Sequence, residues 1–260
     1  MPLLQTRYWL IVVILLTLIF ILRLFPASWL IFSVQQAAPG FQVTGVSGTI
    51  WRGKAEYVQW AERGHALPLG ELKWQLSAFS LLTLTPCLQF STDLGEQYLK
   101  GNVCYSIFGE LVRGDEIETA LPVANIAPFF GINLGGNISA SVKSIELAQD
   151  QFTNVDATLL WERASVFNGS EWLALGNIQS RFSNDSGGLS SAWRDVEEGT
   201  TASPLKLNVR VDIVDALAKT PVIKVKGFMK PNSRNSGLNP MLQFIGNKNN
   251  DGSYDIDFTE

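Results

Sequence analysis

The sequence predicts a mainly β protein: an N-terminal transmembrane helix, then curved antiparallel sheet with two short helices, arranged as two similar β-meander units. Three observations carry that prediction. One apolar run, Trp9 to Leu22, is interrupted only by Thr17. Beyond it the dominant pattern is alternation of apolar and polar residues with period two, the signature of half-buried antiparallel strands. Finally, segments of the first half recur in the second.

Residues 1–7 read as a short cytoplasmic tail, 8–30 as a signal anchor and 31–40 as a linker. A bilayer core of about 30 Å needs roughly 20 mostly apolar residues, and 8–30 meets that length with Arg23 placed near one end, where its side chain can snorkel. The alternative is a cleaved signal peptide. No small-residue cleavage pattern follows, because Gln35-Gln36-Ala37-Ala38 places Gln where a small residue is needed. Arg7 and the terminus against Arg23 favour a cytoplasmic N-terminus and an exported bulk.

The exported part alternates throughout. Leu72, Trp74 and Leu76 oppose Glu71, Lys73 and Gln75. Ile138, Ala140 and Val142 oppose Ser139, Ser141 and Lys143. The row Leu205, Leu207, Val209, Val211 and Ile213 is the most regular. Cys87 and Cys104 flank a hairpin pattern with a polar turn at Asp93–Gln97, so in an oxidising compartment they read as a disulfide. Two buried free thiols are the other reading. Leu121–Phe130 and Asn239–Ile245 are the two short helices. The second begins with Asn239 as N-cap and Pro240 at the first helical position, and ends at Gly246. Ser183–Ser203, rich in Ser, Gly, Asp and Glu, reads as a surface loop.

The internal similarity joins Leu67-Pro-Leu-Gly-Glu-Leu-Lys-Trp-Gln-Leu-Ser to Leu173-Ala-Leu-Gly-Asn-Ile-Gln-Ser-Arg-Phe-Ser. Trp51-Arg-Gly-Lys-Ala55 and Trp161-Glu-Arg-Ala164 lie upstream of each. The predicted units are therefore 41–147 and 152–258, although alternating strands produce such likeness by chance as well.

No catalytic, cofactor-binding or metal-binding residues emerge. The single histidine, His65, sits in the polar stretch Glu62-Arg63-Gly64-His65 and has no nucleophile motif beside it. Gly48-Thr-Ile-Trp-Arg-Gly53-Lys54 fits a P-loop skeleton, but Ala55 replaces the Ser or Thr that would hold magnesium. The pairs Asp115-Glu116 and Glu197-Glu198 lie in polar segments, without the desolvation that separates the pKa values of catalytic carboxylates. A net charge of -4, with 20 scattered Lys and Arg, gives no basic field for nucleic acid. The tryptophans on strand faces read as core.

Gly45-Val-Ser-Gly-Thr-Ile-Trp-Arg-Gly-Lys-Ala55 resembles the Gly-Thr-x-Trp-x-Gly signature of the bacterial type II secretion system protein N family. Gly48, Thr49, Trp51 and Gly53 match it, Trp74 matches the apolar-x-Trp strand that follows, and Pro26-Ala27 matches a Pro-Ala after the anchor. Gly252 and Tyr254 are similar to the glycine and tyrosine of the family's terminal strand, although only Ser253 separates them here. The resemblance implies a non-enzymatic, single-pass inner-membrane protein without cofactors. Its periplasmic domain would serve export of folded proteins across the outer membrane, with inner-membrane platform components and the outer-membrane secretin as partners. A broader resemblance to AsmA-like envelope proteins implies the alternative, a lipid-handling apolar β-groove. The signature itself reads as a tight connection between strands whose Trp51 packs inward, with glycines where the backbone bends.

Overall fold

The computed structural model describes residues 2–149, 151–185, 188–197, 202–218, 220–232 and 237–259, with the side chains of 2–8, 22 and 185 outside that description. Helix α1 (Pro2–Arg23) leads through a two-residue break and Pro26 into α2 (Ala27–Ala37). Then come β1 (Phe41–Thr44), β2 (Ser47–Gly48), β3 (Arg52–Glu62), β4 (His65–Leu76), α3 (Ala78–Leu82), β5 (Cys87–Leu94), β6 (Gln97–Ser106) and β7 (Leu111–Pro122). A 3-10 turn (Val123–Asn125) and α4 (Ala127–Phe130) precede β8 (Leu134–Ala148). The second half holds β9 (Gln151–Phe167), β10 (Trp172–Asp185), β11 (Gly188–Val196), β12 (Leu205–Val214), β13 (Val222–Pro231), α5 (Asn239–Ile245), β14 (Asn247–Lys248) and β15 (Tyr254–Thr259).

All the strands belong to one antiparallel sheet that follows chain order from β1 and β3 to β13, then β15 and β14, with β2 paired to the start of β3. Side chains directly opposite one another across a ladder share a face. One row on that principle runs Lys54, Lys73, Ser91, Lys100, Glu118, Ser141, Thr158, Arg181, Ala192, Arg210, Lys226 and Asp257. Its neighbour on the opposite face begins Ala55, Leu72, Thr92 and Leu99 and ends Trp193, Val209, Gly227 and Ile256. Along these rows one face of the sheet is mainly polar and the other mainly apolar, with Thr119 and Ser180 among the polar members of the second.

Helices cover the apolar face at both ends. Ala27 and Ile31 of α2 are buried in a cluster with Ala55, Val58 and Trp74. Leu242 of α5 is buried with Leu205, Leu207 and Tyr254, while Ala164, Leu173 and Ile178 come from β9 and β10. Between them the 3-10 turn and α4 cap one rim, where Asn125 donates to Gln97 at 2.7 Å and the Gln97 side chain in turn donates to the Pro68 carbonyl.

Three expectations change. Residues 31–37 are helical and not linker, because Ile31, one turn after Ala27, faces the sheet together with it. Ser183–Ser203 is largely hairpin: β10 and β11 pair from Asn177↔Val196 to Asp185↔Gly188. Its polar composition conceals an alternation in which Ser190 and Ser191 are buried and the Trp193 indole donates to the Ser191 hydroxyl at 2.9 Å. Residues 186–187 and 198–201 of that stretch lie outside the described residues. Asn239 does not cap α5; its side-chain oxygen accepts the buried Tyr254 hydroxyl at 3.0 Å, and Leu238 stands at the cap position.

The side chains of α1 from Trp9 to Ile21 are exposed. Among the described residues, no helix is long and apolar enough to cross a membrane.

Candidate functional site

The signature residues form a hook between the helices and the sheet. Gly48 pairs with Gly53 as β2 turns into β3, and the Thr49 amide closes the turn on the Arg52 carbonyl at 2.9 Å. Gly48 has φ +93, and a Cβ there would stand 2.5 Å from the Arg52 carbonyl oxygen. Only glycine satisfies both the conformation and the approach. The turn then grips the break after α1: the Ile50 amide donates to the Phe25 carbonyl at 3.0 Å, and Pro26 bridges Thr49. The Trp51 carbonyl accepts from the Leu76 amide at 2.8 Å, tying the turn to the end of β4 as well.

Trp51 is half-buried beside Ile19, Arg23, Thr49 and Ala78, in a cleft between α1 and the sheet. The fully inward tryptophan is Trp74, whose ring lies over Gly53; a Cβ on Gly53 would fall 2.2 Å from the ring. The expectation that Trp51 points inward is thus corrected. Trp51 faces the helix end because the turn bends there, whereas Trp74 continues the alternation of β4 onto the apolar face. Pro26-Ala27 belongs to the same unit, since Pro26 bridges the turn and Ala27 is buried in the Trp74 cluster. Phe25 and Ile50 complete the hook. They contribute through backbone atoms, which side-chain motifs do not record.

Cys87 and Cys104 are directly opposite on β5 and β6, 4.0 Å apart at Cα, and joined by a disulfide. The bond staples the same rim of the sheet, with Cys87 five residues beyond the end of α3.

The polar face carries an open hollow of about 1140 Å³, lined by Arg52, Lys54, Lys73, Lys100, Lys143 and Glu118 among others. A smaller one, about 250 Å³, follows along Glu118, Ser139, Ser141 and Thr158. Lys100 contacts Glu118 at 2.8 Å, Lys73 contacts Glu71 at 3.0 Å, and Arg52 donates to Gln75 at 3.0 Å. The hydrogen bond to Glu118, then its charge, raises the Lys100 pKa. These pairs are exposed and screened by solvent, so they add little to stability. The hollow is an open surface that mixes charged side chains with apolar lining from Trp74, Phe90 and Val142. His65 lies at the opposite rim, exposed, with its ring 5.7 Å from that of Phe129. Asp115 pairs with Arg113 at 2.8 Å, and Glu197 with Lys206 at 3.4 Å. Among the described residues, no three His, Cys, Asp or Glu side chains gather as a metal would need.

No solved structure matches the chain. A curated relative, the type II secretion system protein N of Vibrio cholerae serotype O1, is 27% identical over 150 residues, covering 55% of this chain and 57% of the relative, so the match spans little more than half of that protein's length. The family described as "Type II secretion system (T2SS), protein N" matches residues 39–257, from the end of α2 to the last strand. With that match running through the signature turn and nearly the whole sheet, the chain belongs to the type II secretion system protein N family.

Proposed function

We propose that this protein is a non-enzymatic, single-pass inner-membrane component of the type II secretion system, with its N-terminus cytoplasmic and its sheet working as a periplasmic scaffold. The observation that carries the reading is the hook. It joins the end of an exposed apolar helix to a rigid sheet by backbone hydrogen bonds, the construction expected where a membrane anchor must hold a body in a fixed pose. At 1.5 Å per residue, the 22 residues of α1 extend about 33 Å, which agrees with a bilayer core of about 30 Å. The disulfide suits an oxidising periplasm. The unpaired outer edges of β1 and of Ile256–Thr259 in β15 offer backbone groups to partner strands from the inner-membrane platform or the secretin.

Two similar units, 41–147 and 152–258, are part of the proposal. In each half five long strands (β3–β7 and β9–β13) lead to a short helix and a closing strand, with β1, β2 and α3 added in the first half and β14 in the second. Gly70 and Gly176, matched in the two repeats, both have positive φ, +79 and +94, and both stand at register shifts. Ala55 and Ala164, matched upstream, are both fully buried.

Deleting the chain should block release of secreted enzymes into the medium while their export to the periplasm continues, and a plasmid copy should restore release. Unchanged secretion in the deletion strain would refute the assignment. The wide hollow does not favour the lipid-groove alternative, because Arg52, Lys54, Lys73, Lys100 and Lys143 stand in its lining beside Trp74 and Phe90.

A further inference from the structure

Antiparallel strands return each turn to one of two rims. The rim at the start of β3 carries the hook, α3 with its following loop, and the turn between β6 and β7. Five apolar side chains project from it: Phe79 at 75% exposure, Leu82 at 79%, Leu84 at 41%, Ile107 at 48% and Phe108 at 83%. In water such a cluster is unfavourable, and large rings so far out of any core mark a contact surface.

Their setting identifies the contact. Ala78, the first residue of α3, lines the same cleft as Ile19 and Arg23 of α1. The two apolar segments are also bound into one platform. The Ile107 amide donates to the Leu84 carbonyl at 3.2 Å and the Tyr105 amide to the Pro86 carbonyl at 2.9 Å. The Cys87 amide donates to the Ser80 hydroxyl at 2.9 Å, and the disulfide closes the platform. The two segments that carry the apolar side chains are therefore tied together, and the start of α3 adjoins the last turn of the proposed anchor.

We propose that this stapled rim lies in the headgroup layer of the membrane that α1 enters, so that the sheet is held by a second, peripheral lipid contact beside its anchor. Phe79, Leu82 and Phe108 enter the boundary between headgroups and acyl chains, as the apolar side chains of interfacial elements do. A second point of attachment adds to the hook a direct constraint on the tilt of the sheet relative to the membrane. The inference rests on α1 being a membrane helix.

The test uses the full-length chain reconstituted in vesicles of phosphatidylethanolamine and phosphatidylglycerol, with a bilayer-confined photoactivated carbene reagent and peptide mass spectrometry. Labelling is expected in α1 and in segments 77–86 and 105–112. The opposite rim, at Phe130 and Phe244, should stay unlabelled, because the 11 residues of β3 separate the rims by about 35 Å. Labelled α1 with an unlabelled near rim would overturn the proposal and leave the anchor standing. Equal labelling of both rims would also overturn it. An unlabelled α1 would remove the anchor reading itself, and this proposal with it. In the variant F79S/L82S/F108S, α1 labelling should persist while labelling of the rim segments is lost.

Discussion

At Gly53 one hydrogen atom decides how closely two strands pack. A side chain there would enter the ring of Trp74, which is almost fully buried and fixed among Ala27, Ala55 and Val58. Gly53→Val should therefore destabilise the protein by about 1–3 kcal/mol through overpacking, read as a lower urea midpoint. Gly109→Ala, whose new carbon would meet nothing closer than 3.7 Å, should change it by less than about 0.5 kcal/mol. At this scale the sequence was informative about which residues matter and less so about their roles. The motif marked Gly48, Gly53 and Trp51 together, yet Trp51 faces α1 and Trp74 fills the core position. Asn239 looked like a helix cap because Asn-Pro is a common start. A buried tyrosine hydroxyl fifteen residues downstream claimed its oxygen instead, since an unpartnered buried hydroxyl costs more than a missing cap.

Single elements give two further tests. The disulfide closes a hairpin with a sequence separation of 17, and the loop-entropy model assigns such a closure about 3 kcal/mol. Replacing both cysteines by serine should lower stability by about that amount, measured by denaturant unfolding, with the same loss on reducing the wild type. The turn between β14 and β15 is organised by Asp251. Its carboxylate accepts from the Ser253 hydroxyl at 2.6 Å and the Ser253 amide at 3.0 Å, and pairs with Lys230 at 3.1 Å. The Ser253 hydroxyl first, then the amide and Lys230, hold its pKa down at about 2. A depressed folded pKa adds stability above the ordinary aspartate value and loses it as pH falls towards the folded one. The stability gap between wild type and Asp251→Asn should therefore shrink between about pH 4 and pH 2 and be absent below; a constant gap across that range would exclude the mechanism. The hairpin was legible from Cys87, Cys104 and the turn between them. The β10–β11 hairpin was not, because serines on both faces mask the period-two signal that apolar residues would have given.

The whole molecule is governed by register. Ladder pairs join β8 and β9 from Leu134↔Val166 to Ala148↔Gln151, across three register shifts, so the proposed repeats share one sheet. Heating or urea should then unfold residues 39–259 in one cooperative transition, seen as coincident curves by circular dichroism and tryptophan fluorescence; two separated transitions would mean that the halves hold together independently. The sequence by itself determined the mainly antiparallel β architecture, the apolar first helix and the disulfide hairpin, because alternation, apolar run length and cysteine placement are local along the chain. Only the tertiary structure decided that one mainly polar and one mainly apolar face continue across the sheet, that the signature turn grips Phe25 and Pro26, and that Phe79, Leu82 and Phe108 share a rim with the end of α1. Those relations depend on strand register and on backbone hydrogen bonds between distant segments, and neither leaves a mark in the identity of neighbouring residues.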